Sequence, residues 1–154
     1  MVLVVIVAAF VRSYDLSGQA ILFGDAGRDL LVAKKAVLTG QLPLVGIPSS
    51  VPRFHQGPLT VWLQMIIYLV FGQRTLAYSI VFALISLMAV IGLYELVTIQ
   101  LGSRVGLVAA TLLALSPLAI AQGRMPYHTN PIPLALIIFL ASQLYLLQRI
   151  KWSI

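Results

Sequence analysis

GDAGRDLLVAKKAVLTGQLPLVGIPSSVPRFHQGP, residues 24–58, is a polar island in an oily chain. It holds two of the four acidic residues, four of the ten basic ones, one of the two histidines and four of the eight prolines. The rest decides the class. The 154 residues are 60% hydrophobic and 9% charged, against about 25% charged for a soluble domain. That balance implies an all-α, multi-span helical membrane protein, with the island as a polar loop at the membrane surface. The net charge of +6, set between apolar runs, points to membrane lipids and phosphate-bearing lipids rather than nucleic acid. There are no cysteines, which excludes disulfides and thiolate metal sites.

Outward from the island, the first apolar run covers residues 2–11. At ~1.5 Å per residue it spans roughly half of a ~30 Å hydrocarbon core, and it lacks the basic flank of a signal peptide. It reads as a span cut short upstream, and the end after Leu147 likewise reads as a cut, so the chain is expected to be a piece of something longer. Residues 12–75 form the first extramembrane loop, in which residues 12–23 leave the membrane. Asp25 stands at a helix start and Gly40 where a C-terminal glycine belongs, which predicts a helix over residues 25–39. Leu30, Leu31, Val37 and Leu38 recur at helical spacing, with Arg28, Asp29 and Lys35 mostly opposite: an interfacial amphipathic helix. Pro43, Pro48, Pro52 and Pro58, with Gly40, Gly46 and Gly57, exclude regular structure over residues 40–58. A loop of that length favours function over simple connection.

Residues 58–71, PLTVWLQMIIYLVF, open with proline at a natural helix start and are too short to cross. They predict a second juxtamembrane helix, with a crossing as the alternative. Three spans are expected after it, at residues 76–99, 105–121 (kinked at Ser116-Pro117) and 132–147. If residues 58–71 do not cross, the island and the connector at 122–131 face one compartment. If they do cross, no joint site exists. The basic residues count seven on the island side (Arg12, Arg28, Lys34, Lys35, Arg53, Arg74, Arg124) and three on the other (Arg104, Arg149, Lys151). Taken alone, that bias puts the island in the cytoplasm.

Asp25 and Asp29 lie four apart with Arg28 between them. Carboxylates beside a cation at a low-dielectric boundary suit general-base work, because burial and charge tune them in opposite directions; helix capping with a surface ion pair is the plainer reading. His55, in RFHQGP, offers an imidazole to a phosphate or hydroxyl, or merely bonds a backbone carbonyl. Arg53 is a phosphate fork or a headgroup contact. Arg124, Tyr127, His128 and Asn130 cluster between Gln122 and Pro131. Glu95, near a span end, reads as an interface anchor on the far side. No metal-ligand spacing, phosphate-binding loop or nucleophile elbow occurs, so metal ligands are none and a divalent metal is possible but has no spacing to support it.

Three stretches resemble the membrane glycosyltransferases of the GT-C type, within them the protein O-mannosyltransferase and aminoarabinose-transferase families. They are GDAGRDLLVAKKAVLTGQLPLVG, FHQGPLTVWLQMIIYLVFG and LLALSPLAIAQGRMPYHTNP, and the likeness extends over nearly the whole chain. The resemblance implies an inverting transfer from a polyprenyl-phosphate sugar donor to a hydroxyl of a glycan, lipid or protein acceptor. It puts the general base at Asp25, supporting positions at Arg28 and Asp29, and matching positions at His55 and at Arg124, the latter near the lipid phosphate; Arg53, His128 and Asn130 join the substrate-binding candidates on their own chemistry and place in the chain. It also implies a multi-pass plasma-membrane protein whose catalytic loop faces outward, against the charge bias, and no cofactor beyond the lipid-linked sugar. Many relatives carry an acid where Asn130 precedes Pro131 here, which leaves a second carboxylate, or a metal held by one, without its residue. Two other classes fit the composition: a transporter or lipid-flipping subunit using the island as a gate, and a non-catalytic membrane scaffold.

Overall fold

The computed structural model describes residues 1–18, 20, 24–49, 51 and 53–151, with side chains up to residue 147. Pro52, the exit segment at 21–23, the side chains of Arg149 and Lys151 and the last three residues lie outside this set. Seven helices run through it: α1 Val2–Ser13, α2 Gly24–Thr39, α3 Leu59–Phe71, α4 Thr75–Leu101, α5 Ser103–Leu115, α6 Pro117–Gly123 and α7 Ile132–Lys151. Among the described residues the extended backbone amounts to one isolated bridge, Pro48 with His55.

α4 is the spine. Its 27 residues reach ~40 Å, more than the ~30 Å hydrocarbon core. It packs against α1, α3, α5, α6 and α7. Ala8, Val90, Ala110 and Ala114 form one core where α1, α4 and α5 meet. Gly106 is needed at the α4–α5 crossing: a Cβ there would run into the Thr98 hydroxyl and the backbone of Tyr94. A second core, Ile67, Tyr78 and Phe82, joins α3 to α4, and Tyr78 donates its hydroxyl proton to the Gly72 carbonyl at 3.0 Å across the turn.

Among the described residues α4 is long and apolar enough to cross, and α5 with α6 passes the same test as one span bent by 63°. The bend lies at Ser116-Pro117. Proline has no N–H for the Leu113 carbonyl and cannot continue the helix. Ser116 turns extended and accepts a hydrogen bond from the Ala119 N–H at 3.4 Å, restarting the chain as α6 with Pro117 in its first turn. α7 runs for 20 residues, and its stretch with described side chains, Ile132–Leu147, is apolar.

Arg12 belongs to α1 and not to the loop that follows it. It is the penultimate residue of α1 and is 1% exposed. Its guanidinium donates to the Ala114 carbonyl at 3.1 Å, the Leu113 carbonyl at 3.3 Å, the Ala8 carbonyl at 3.3 Å and the Ser86 hydroxyl at 3.0 Å. It thus serves carbonyls released by the proline break and places a cation at the C-terminus of α5, where the helix dipole favours one. Gly123 packs over this cap; a Cβ there would strike the Ser86 side chain.

In the loop, α2 ends at Gly40, which has φ +67, and the Gln41 N–H returns to the Ala36 carbonyl at 3.2 Å, a Schellman closure. α2 packs along α3. Its buried face is Ala26, Asp29, Ala33 and Ala36, whereas Leu31 and Leu38 are exposed. Asp29 was expected opposite the apolar stripe; it sits on the packed face because three alanines let α2 approach closely, leaving Leu31 and Leu38 turned outward while Leu30 joins the α3–α4 core. Pro58 is the cap of α3 and not its first residue. Between the two helices the chain folds as a narrow hairpin. Its backbone bonds are Gly46 N–H to Gln56 O at 2.9 Å, Gln56 N–H to Ile47 O at 2.9 Å and Ser49 N–H to Phe54 O at 2.8 Å. Trp62 of α3 ties it down by donating to the Pro43 carbonyl at 2.8 Å.

Replacing Arg12 by Met strands the Leu113 and Ala114 carbonyls, at about 1–3 kcal/mol for each unsatisfied group. Thermal unfolding in detergent is expected to drop by roughly 5–10 °C. Arg12→Lys, which keeps the charge but not the fork, recovers only part of it. An unchanged midpoint in Arg12→Met would show that the cap holds nothing.

Candidate functional site

The first turn of α2, the hairpin and the connector after α6 meet at one place. Asp25 receives two donors. Arg28 Nη2 reaches Oδ1 at 2.7 Å, and the Tyr127 hydroxyl donates to Oδ2 at 2.9 Å. The Asp25–Arg28 pair is about two-fifths exposed on both sides, so as an ion pair it contributes little stability. Its consequence is geometric: both carboxylate oxygens are held, and the group still opens to solvent.

Tyr127 is placed by its neighbour. Its ring lies 4.1 Å from that of His128, tilted by 37°. His128 Nε2 is in turn 3.1 Å from the Gln56 amide nitrogen on the hairpin. An amide NH2 only donates, so Nε2 accepts and the imidazole proton sits on Nδ1. That nitrogen points toward Asp29 Oδ2 at 3.9 Å. From α3, Gln64 donates to the Pro126 carbonyl at 3.4 Å and fastens the connector from below.

Asp29 differs from Asp25 in every respect. It is 1% exposed, and neither of its oxygens has a hydrogen-bond partner among the described residues. Burial pushes its carboxyl up to about 6, against the downward pull of Arg28 and with a further upward push from Asp25. Burial also holds His128 below the ordinary imidazole value, with Asp25 pulling it upward and Arg28 downward. At neutral pH the facing pair is therefore a neutral imidazole and a mostly ionised carboxylate, not a salt bridge. The Tyr127 hydroxyl is shifted upward, first by its bond to Asp25, so it remains a donor.

The other candidates lie apart from this cluster. Arg124 donates to the Tyr14 carbonyl, closing the end of α1, and borders a groove of about 360 Å³ lined also by Pro117, Ile120, Ala121 and Met125. Asn130 is buried; its amide donates to the Gln122 carbonyl at 2.9 Å and the Met125 carbonyl at 3.1 Å, bracing the connector. Arg53, with φ +67, and His55 are exposed on the hairpin and make no side-chain bond to the Asp25 cluster among the described residues. A cavity of about 130 Å³ at the α5–α6 break is lined by Ser86, Ser116, Gln122 and Asn130, among others, and by no acid. No set of three or more histidine, aspartate or glutamate side chains suited to a metal occurs among the described residues.

Tyr127, Gln56 and Gln64 are contributors that sequence reasoning left out of the candidate set. Tyr127 had a signal, its place in the polar cluster between Pro126 and Pro131; the two glutamines had none.

A family profile described as dolichyl-phosphate-mannose-protein mannosyltransferase matches residues 55–153, well over half of the chain. The matched stretch includes His55, Arg124, Tyr127, His128 and Asn130 and begins after Asp25 and Asp29. No curated protein and no solved structure matches the chain.

Because Asp29 ionises at higher pH folded than unfolded, it lowers stability as pH rises from about 4 through about 6, and asparagine at that position does not titrate. Asp29→Asn is therefore expected to raise the thermal midpoint at pH 8, by an amount worth roughly 1–3 kcal/mol, and to change it little at pH 4. A gain that is the same at both pH values would show that Asp29 is not held in a desolvated, pH-sensitive state.

Proposed function

Because the chain belongs to the dolichyl-phosphate-mannose-protein mannosyltransferase family, a family of membrane glycosyltransferases, we propose that it carries the acceptor-activating site of an inverting sugar transfer from a polyprenyl-phosphate donor. The observation that carries this reading is the Asp25 carboxylate, solvent-accessible and held by donors from two elements, at the mouth of a loop that adjoins the helix bundle. Asp25 takes the proton of an acceptor hydroxyl. The freed oxygen attacks the anomeric carbon from the face opposite the lipid phosphate, the glycosidic C–O bond breaks, and the phosphate leaves with the bonding pair. The sugar is thereby inverted.

The leaving phosphate carries negative charge, so it needs a cation. Arg124 supports that role. Its guanidinium spends one contact on Tyr14 and keeps further N–H groups for an anion. The groove beside it has apolar walls, Pro117, Ile120, Ala121 and Met125, which suit an isoprenoid chain. Arg53 and His55, exposed on the hairpin, are placed for headgroup or acceptor contacts. Asn130 acts indirectly, by holding the connector that presents Tyr127 and His128. We assign the loop to the outer face of the plasma membrane, in a multi-pass protein; the acceptor is a glycan, lipid or protein hydroxyl.

The test is Asp25→Asn in the intact protein, in membranes given polyprenyl-phosphate [14C]mannose or the corresponding glucose donor. Label transfer to endogenous acceptors is expected to fall by about 10²–10⁴, with the protein present in the membrane at its usual level. Transfer that survives the substitution removes Asp25 as the base.

A further inference from the structure

We propose that Tyr127 is a positioning residue for this transfer: from the connector it fixes the rotation of the Asp25 carboxylate, and its own place is set by His128 and Gln56. The inference rests on the reading of Asp25 as the base.

A carboxylate on a short side chain turns through a broad, nearly two-fold torsional well. Arg28 alone leaves that freedom, since it bonds one oxygen from the same helix through a long, half-exposed side chain. Tyr127 bonds the other oxygen from an element 102 residues away. Two donors on two oxygens define the plane of the group. Each oxygen keeps a second acceptor position, and the carboxylate is more than two-fifths exposed, so the remaining positions are available to a hydroxyl.

Tyrosine suits this task because only two torsions place its hydroxyl, and its ring is braced. The His128 ring lies against it, and His128 is held at Nε2 by Gln56. The contacts run Gln56, His128, Tyr127, Asp25, from hairpin to connector to helix. Loss of the phenol oxygen should therefore affect the chemical step and leave donor binding alone, because Tyr127 takes no part in the Arg124 groove. A displaced reacting group costs rate even when binding is intact.

Tyr127→Phe keeps the ring contact and removes the hydroxyl. In the intact protein, assayed with polyprenyl-phosphate [14C]mannose, kcat is expected to fall about 10–100-fold. KM for the donor should stay within about two-fold. A clasp with a purely structural role would lower the thermal midpoint and the amount of active protein and leave kcat of the folded fraction unchanged. If Tyr127→Phe is poorly folded, Gln56→Ala, two contacts away, must show the same kcat-selective loss in smaller degree. Full kcat in folded Tyr127→Phe overturns the positioning role, while loss of transfer in Asp25→Asn leaves the base standing. Transfer that persists in Asp25→Asn, or no transfer by the unsubstituted protein from this donor, removes the functional reading and the positioning role together.

Discussion

A proline that cannot donate and a guanidinium that can do little else meet at the end of α5. Pro117 stops the helix by removing the N–H that the Leu113 carbonyl requires. Arg12 supplies N–H groups to that carbonyl and the next. Neither half works alone: a break without the arginine strands carbonyls in an apolar bundle, and an arginine without the break is a buried cation facing closed helices. Together they fix a bend of 63° and the direction in which α6 delivers the connector. The placing of Tyr127 and His128 against the loop acids depends on that direction.

The delivered connector is rigid for its own reasons. Asn130 collects two carbonyls, Gln64 a third, and Arg124 closes onto the end of α1. These polar side chains are used to shape backbone, which leaves Tyr127 and His128 to face the loop. The two aspartates of α2 then take different characters although one turn separates them. Asp25 sits at the open end with donors on both oxygens. Asp29 sits on the alanine face, desolvated and without a donor among the described residues. Position on the helix, not residue type, makes one a candidate base and the other a destabilised buried acid.

Local signals were readable wherever a local cause existed. Gly40 ends α2 through its positive φ, and Ser116-Pro117 both stops one helix and caps the next. Polarity and proline content marked residues 40–58 as an irregular loop, and it is a hairpin. What could not be read depended on partners distant in sequence. Arg12 looks like a residue leaving the membrane until Ala114, 102 positions on, offers a carbonyl. Asp29 looks solvent-facing if leucines are assumed to point inward, but α2 packs through Ala26, Ala33 and Ala36, where small side chains allow closer approach than leucine would. The kink at Ser116-Pro117 was legible because proline breaks the ladder locally, but the 63° of the bend was not.

The bond between Tyr127 and Asp25 joins residues 102 positions apart, and this bears on how the protein is made. At about 5–20 residues per second, the ribosome needs on the order of 5–20 s after Asp25 emerges before Tyr127 exists to meet it. During that interval the nascent loop helix lacks this partner and the connector that buries Asp29. The site is therefore assembled only once the connector after α6 has been made, and a nascent polypeptide stalled between α2 and α6 carries the acids without the geometry.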